Sequence, residues 1–443
     1  MPQSRFLLAL SIILAGWPGT SPFADARAAE RAAQPPNIVL IMADDLGIEC
    51  LRSYGGRSYE TPHLDRLAGQ GLRFTHCFAN PYCSPTRAQI LTGRYPLHTG
   101  IERVIYLPDQ HREFLDPTRE TSFANLLKDA GYRTAMAGKW QLSFLHERDT
   151  VPGFGFDEYQ CWQIFVEGTK TSRYAEPVFR RNGEIHRFPD RYGPDVNADF
   201  LIDFIRRNKE RPFLAYYSML LPHFPWEPTP DSGDPLKPSA TPRGDKRYFK
   251  DMVAYMDKTV GRIVREIDEI GLGENTLILF TADNGTEQGI VSEWADGEVV
   301  RRVPGGKATM TEAGTRVPLI ARWTGTIEPG RVSHDLIDLS DILPTLVELG
   351  GAKLPAQPIN GRSFAPQLFG KPGNPRATIH ASIQGRRHVR GRDYTLDDRG
   401  HFRPIEKLGE KAAAPLKAPL TAEQARARAL LESALDDART FSR

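Results

Sequence analysis

The sequence predicts an α/β fold: a large mixed or mostly parallel sheet flanked by helices, with a small C-terminal α+β subdomain. Three observations predict it. Between residues 37 and 349, short apolar runs that read as buried strands alternate with amphipathic helical segments. Two of those runs end alike, one in Asp44-Asp45 and the other in Asp283-Asn284. After about Gly370 the rhythm changes to short β-like pieces and a single long amphipathic segment.

The elements follow in order. Asn37–Ala43 is a continuous apolar run, the mark of a strand buried on both faces. A helix is predicted over Pro62–Gln70, with Thr61 as N-cap and Pro62 at the first helical position. Thr121–Ala130 carries helical spacing through Phe123, Leu126 and Leu127, stops at Gly131 and leads into a strand over Arg133–Ala137. Helices over Asp195–Asn208 and Asp251–Ile270 lead into apolar runs at Pro212–Leu220 and Thr276–Thr281. Val317–Trp323 reads as a strand and Asp341–Leu349 as a helix. The proline-crowded stretch Pro222–Pro242 reads as a long loop over one end of the sheet. The C-terminal pieces are Thr378–Ile383, His388–Tyr394 and a helix near Thr421–Ala438 that reads as ordinary packing. The domain boundaries expected are 1–28 for a leader, 35–370 for the main domain and 371–443 for the subdomain.

Composition narrows the function. A chain of 443 residues with 40% hydrophobic and 25% charged residues has ample material for a core. A net charge of +2 gives no electrostatic case for a nucleic-acid partner or an anionic membrane. Arg5, the apolar stretch Phe6–Ala15 and the small-residue triplets Ala24-Asp25-Ala26 and Ala26-Arg27-Ala28 read as a secretory signal peptide. The apolar run is too short for a membrane span, and no cysteine follows it closely enough to take a lipid, so no membrane anchor is expected. The mature protein is expected to be exported, to the periplasm or beyond. Four cysteines (Cys50, Cys77, Cys83, Cys161) make no disulfide framework.

In open α/β sheets ligands gather beyond the carboxyl ends of strands. Asp44, Asp45, Asp283 and Asn284 placed there would form a hard oxygen cluster suited to Ca²⁺ or Mg²⁺. Asp and Asn after a strand are also ordinary turn residues, and each pair alone favours that reading.

Cys83-Ser84-Pro85-Thr86-Arg87 carries more. This Cys-x-Pro-x-Arg, continued through Ala88 to Thr92-Gly93-Arg94, resembles the signature of the type I sulfatases of the alkaline phosphatase superfamily. Further segments resemble that family in its own order: Pro36–Gly47, Gly138-Lys139-Trp140, Leu221–Pro225 around His223, Phe280–Gly285, and Lys307 followed by Glu312–Pro318. The resemblance implies an alkaline phosphatase-like fold and a cysteine oxidised to formylglycine by a dedicated formylglycine-generating enzyme. It implies a metal site of Asp44, Asp45, Asp283, Asn284 and the hydrated formylglycine at position 83, with Ca²⁺ ahead of Mg²⁺. Arg87, Lys139 and Lys307 would supply fixed positive charge around the hydrate and the sulfate. His223 would protonate the departing alcohol. Without the family, Arg87 and Lys139 read as surface or pairing residues, Lys307 as a loop lysine, and His223 as packing or function alike.

One position departs from the pattern. Where the family carries histidine two residues after the motif lysine, this chain has Gln141, which keeps a hydrogen bond but takes up no proton. Two other readings stay open: a formylglycine-dependent phosphonate monoester or phosphodiester hydrolase, which would share the metal and the nucleophile, and a non-catalytic binding protein on the same scaffold, for which Gln141 is the sign. The substrate expected is a sulfated small molecule or glycan. Trp162, Tyr174, Arg180, Arg181, Trp226 and Trp294 are candidates for a sugar cleft, with packing the weightier reading.

Overall fold

A computed structural model describes residues 35–106 and 113–440; the leader expected at 1–28 lies outside the described residues. The main sheet has 10 strands. In chain order they are β1 (Asn37–Ala43), β2 (Leu72–Phe78), β3 (Arg133–Gly138), β4 (Glu158–Trp162), β7 (Val178–Arg181), β8 (Glu184–Arg187), β9 (Phe213–Ser218), β10 (Thr276–Ala282), β13 (Arg316–Arg322) and β14 (Arg331–Asp338). Their spatial order is β14-β2-β13-β10-β1-β9-β3-β4-β7-β8. Two small hairpins, β5/β6 (Phe165–Val166, Thr169–Lys170) and β11/β12 (Val291–Asp296, Val299–Pro304), stand apart from it.

The centre of the sheet is parallel: β10, β1, β9, β3 and β4 run together. Every residue of β1 and β10 is buried, as expected where helices cover both faces. One helical layer contains α1 (Pro62–Gly69), α5 (Gly193–Arg207) and α6 (Phe249–Glu269). The other contains α2 (Cys83–Thr92), α4 (Phe123–Asp129) and α8 (Ile342–Leu349). Single turns α3 (Pro96–Thr99), α7 (Glu312–Thr315) and α9 (Ala365–Leu368) connect the larger elements. β13 on one side and β7 on the other run against the centre and make the sheet mixed; β2, β14 and β8 beyond them run with it again.

The predicted elements lie within a few residues of those observed, with two corrections. Thr61 stands at the N-cap of α1, but its side chain does not cap it. Its hydroxyl instead accepts from the Arg52 amide at 3.3 Å and donates to Asp65 at 3.3 Å. The single β-like piece expected at His388–Tyr394 is the end of one strand, a turn and the start of the next. The C-terminal sheet comprises β15 (Ile379–Ile383), β16 (Arg386–Arg390), β17 (Tyr394–Asp397) and β18 (Phe402–Pro404), all antiparallel. The terminal helix α10 (Ala422–Thr440) packs on it, burying Leu431 and Leu435 against Val389, Leu396 and Phe402. Cys50, Cys77, Cys83 and Cys161 are all buried free thiols, so none of them forms a bridge.

Candidate active site

The strand register sets out the site. β1 pairs Ala43 with Ala282, and β9 and β3 pair Ser218 with Gly138, which in turn pairs with Cys161 on β4. The next residues along these strands (Asp283, Asp44, Met219, Lys139, Trp162) therefore line one edge of the sheet at its carboxyl ends, where α/β folds bind ligands. Gly138 is required in this row. Its φ is +104° and a Cβ there would lie 1.9 Å from the Ser218 carbonyl oxygen. That close approach lets the Lys139 amide donate to Ser218 at 2.7 Å.

Three buried carboxylates meet at this edge. Asp283 accepts the Asp45 amide on Oδ1 at 3.1 Å. Asn284 donates through Nδ2 to Asp45 Oδ1 at 2.8 Å and to its neighbour's carbonyl, Gly285 O, at 2.9 Å. Asp45 adopts φ 66°, a left-handed conformation that Asp tolerates better than most residues. Ligand atoms of Asp44, Asp45 and His223 all lie within 4.8 Å of one another.

Three buried cations answer them. Lys139 Nζ lies 2.8 Å from both oxygens of Asp44. Lys307 Nζ lies 2.6 Å from Asp45 Oδ2 and 3.0 Å from Glu287. Arg87 reaches Asp283 Oδ2 at 2.6 Å and Asp44 at 3.5 Å, and also donates to the Lys139 carbonyl at 3.2 Å and to the Ser218 hydroxyl. Burial opposes ionisation of Asp44, but Lys139, Arg87 and Lys307 together hold its carboxyl well below the usual range. Asp45 goes the other way: burial and the charges of Asp44 and Asp283 push it up against the pull of Lys307.

Cys83 opens α2, all ten of whose residues are buried. Burial pushes its thiol up, against the pull of Lys139 and Lys307. Gln141 is buried, with φ 53°; its carbonyl accepts the Ser84 hydroxyl at 3.0 Å, while its side-chain Oε1 meets no hydrogen-bond partner. His223 lies in the loop after β9, its Nδ1 against the Phe224 carbonyl and its Nε2 3.6 Å from Asp45 Oδ2. Burial, with Lys307 adding to it, holds the imidazole well below its ordinary pKa and so neutral.

The donor set suits a hard divalent cation. It is all oxygen on the Asp and Asn side, it concentrates like charge, and Asn284 Oδ1 is buried without a hydrogen-bond partner. Sequence reading missed Ser218, which ties Arg87 to the Lys139 carbonyl, and Glu287, which shares Lys307. Glu287 had a readable signal, three residues after Asn284; Ser218 had none beyond ending an apolar run. The aromatic candidates divide differently. Tyr174, Trp162 and Trp226 are buried, Trp294 bonds to the Tyr54 carbonyl, and Arg180 and Arg181 are held by Asp149 and Gln160.

Residues 36–352 match the sulfatase family model. The chain belongs to the sulfatase family. Mouse steryl-sulfatase is 34% identical over 84% of this chain and 70% of its own length. Human arylsulfatase A is 35% identical over 78% of this chain and 70% of its own. The structure of BT4656 in complex with its substrate D-glucosamine-2-N,6-O-disulfate has a TM-score of 0.69 at 22% identity, covering 92% of this chain and 98% of that one. At that identity the likeness is one of fold alone. The family makes this sulfatase a sulfuric ester hydrolase.

Proposed function

We propose that this sulfatase cleaves a sulfate monoester, on a sulfated carbohydrate or an aryl sulfate, with formylglycine made from Cys83 and a calcium ion. The observation that carries the reading is the convergence of Arg87, Lys139 and Lys307 on Asp44, Asp45 and Asp283, with Lys139, Lys307, Asp44 and Asp283 within electrostatic reach of Cys83. Asp44, Asp45, Asp283 and Asn284 would hold Ca²⁺ together with residue 83; Mg²⁺ is the lesser candidate. Bound there, the ion would polarise the sulfate and offset negative charge in the transition state. Carried as formylglycine, residue 83 would supply through its hydrate one hydroxyl to attack sulfur and a second whose proton loss expels sulfate and restores the aldehyde.

The chain's own side chains set the rest. Lys139 and Lys307 flank the carboxylates and supply fixed charge for the sulfate oxygens. Arg87 is anchored on four partners and holds Asp283 and the Lys139 backbone in place. His223 is neutral while the site holds no substrate. A sulfate anion beside Nε2 favours its protonated form, from which it gives a proton to the leaving alcohol. Gln141 presents a free acceptor, Oε1, that can orient a hydroxyl but cannot take its proton.

The leader from Arg5 to Ala28 supports export to the periplasm or the exterior, with the formylglycine-generating enzyme as maturation partner. The division into a catalytic domain at 35–370 and a subdomain at 371–443 goes with this reading. The test is co-expression with a formylglycine-generating enzyme and mass spectrometry of the peptide around residue 83. An aldehyde at this position, with 4-nitrophenyl sulfate hydrolysis lost in Cys83→Ala, is the expected result. An unmodified thiol in active protein would sink the formylglycine assignment.

A further inference from the structure

Five arginines are buried: Arg87, Arg173, Arg322, Arg376 and Arg390. Four have a carboxylate partner, Asp283, Asp268, Asp341 and Glu312 respectively. Arg173, 3% exposed, makes no ion pair and no side-chain hydrogen bond among the described residues. A buried cation left without an anion is costly, so the exception asks for an explanation.

The surroundings of Arg173 fix where it acts. Its guanidinium carbon lies 4.0 Å over the Trp162 ring and 5.9 Å from the Tyr174 ring, a stacking arrangement that holds a cation without neutralising it. Trp162 directly follows Cys161, the register partner of Gly138, so it stands one strand over from Lys139. The Tyr174 hydroxyl bonds to the carbonyls of Leu220 and His223, pinning this segment to the loop that carries the histidine. The charge of Arg173 is felt at His223. Glu227 feels it too, but does not pair with it: Oε1 accepts the Ser239 amide at 2.8 Å and Oε2 has no partner. Trp162 is three strands from Asp44, which at ~4.8 Å per strand sets their backbones about 14 Å apart, with Arg173 held on the Trp162 ring. That distance suits a group on the next sugar of a chain rather than on the sulfated carbon itself.

We propose that Arg173 is a specificity-determining residue that receives a second anionic group of the substrate, a carboxylate or a further sulfate. This rests on the sulfatase reading above and narrows its substrate to polyanionic glycans. Trp162 supports the guanidinium from one face, leaving its edge nitrogens for a bidentate contact with the anion.

The experiment compares wild type, Arg173→Gln and Arg173→Lys on four probes. These are 4-nitrophenyl sulfate, a disaccharide with one sulfate, the same disaccharide with two sulfates, and one carrying a sulfate and a uronate. Wild type is expected to favour one of the doubly charged disaccharides over the singly charged one by about ten- to hundredfold in kcat/KM, the worth of a charge-assisted hydrogen bond or two. Which of the two is favoured tells sulfate from carboxylate. Arg173→Gln is expected to lose that preference through KM, with 4-nitrophenyl sulfate turnover within about twofold of wild type, and Arg173→Lys to keep part of it. Arg173→Gln gives up the stacking on Trp162 and the charge that Glu227 feels, so rates are compared per folded molecule. Equal losses on all four probes or a wild type indifferent to the second charge would each overturn the proposal. Calorimetric binding of the disulfated disaccharide to wild type and Arg173→Gln separates the two readings. A difference in affinity without turnover of any probe would overturn the sulfatase reading and leave the anion contact standing.

Discussion

Lys139→Met tests the charge balance of the site. The substitution keeps most of the side-chain volume and removes a cation that lies 2.8 Å from both oxygens of Asp44. Both residues are buried, at 1% and 0% exposure, so neither charge can turn to water instead. Asp44 would keep only Arg87, at 3.5 Å. Breaking one side of a buried pair costs about 3–5 kcal/mol. With an unfolding entropy of roughly 2.1 cal/mol/K per residue over roughly 400 residues, that lowers the melting temperature by about 4–6 °C in EDTA. If Asp44 is a calcium ligand, added Ca²⁺ supplies the missing positive charge, and the gap between variant and wild type should close by at least half. Scanning calorimetry in EDTA and in excess Ca²⁺ reads this directly. Activity should stay about 10²–10³-fold down even in calcium, because the charge beside the sulfate is gone. A melting difference identical in EDTA and in calcium would refute the shared use of Asp44. Activity within tenfold of wild type would refute the role of Lys139 at the sulfate.

Gln141→His restores a group able to accept a proton; kcat for 4-nitrophenyl sulfate should rise severalfold where release of sulfate limits turnover, and an unchanged kcat would mean that another base serves. His380, 4% exposed, stacks on Tyr95 and has neither ring nitrogen hydrogen-bonded; burial pushes its pKa down to about 3. The unfolded chain therefore binds the extra proton between about pH 6.5 and pH 3, and stability falls as pH drops through that window. His380→Phe should lose about 2 kcal/mol less than wild type between pH 7.5 and pH 5 in urea titrations; equal losses would remove His380 from the account. Arg376→Met strips Asp341 of a guanidinium that contacts both its oxygens, and should cost about 3–5 kcal/mol in denaturant while kcat per folded molecule stays unchanged.

The parts of the fold legible in the sequence are those whose environment leaves a pattern. β1 and β10 are seven-residue apolar runs because helices cover both faces. The helices α5 and α6 show an apolar stripe because one side faces water. Elements with other surroundings left no such trace. α2, the helix that begins at Cys83, is buried all round yet carries Ser84, Thr86, Arg87, Gln89 and Thr92 inside, so it has neither a stripe nor an apolar run. The edge strand β8 reads Glu-Ile-His-Arg and is mostly exposed, which makes it indistinguishable from a polar loop. The outer strand β14 alternates only at its start and becomes buried at its end, where β2 and the C-terminal segment cover it.

The site was legible through ordered motifs, but its balance of charge was not. Fully ionised, as a bound cation would hold them, Asp44, Asp45 and Asp283 would carry three negative charges, and Arg87, Lys139 and Lys307 would meet them with three positive ones. Glu287 and Arg243, paired with each other at 3.3 Å, add nothing net. Calcium in this cluster would therefore leave an excess of two positive charges, enough to draw in a sulfate ester and still remain cationic. Before substrate binds, the buried imidazole of His223 stays neutral chiefly through burial, with Lys307 adding to it. A histidine at 141 would be of use only in its neutral form, as a base, and the same excess charge would keep it so. Arg173 lies outside this balance. Its charge is cancelled by nothing at contact distance, and no motif, period or run in the sequence marks it; only the row of strand ends and the ring of Trp162 reveal it as part of the same edge.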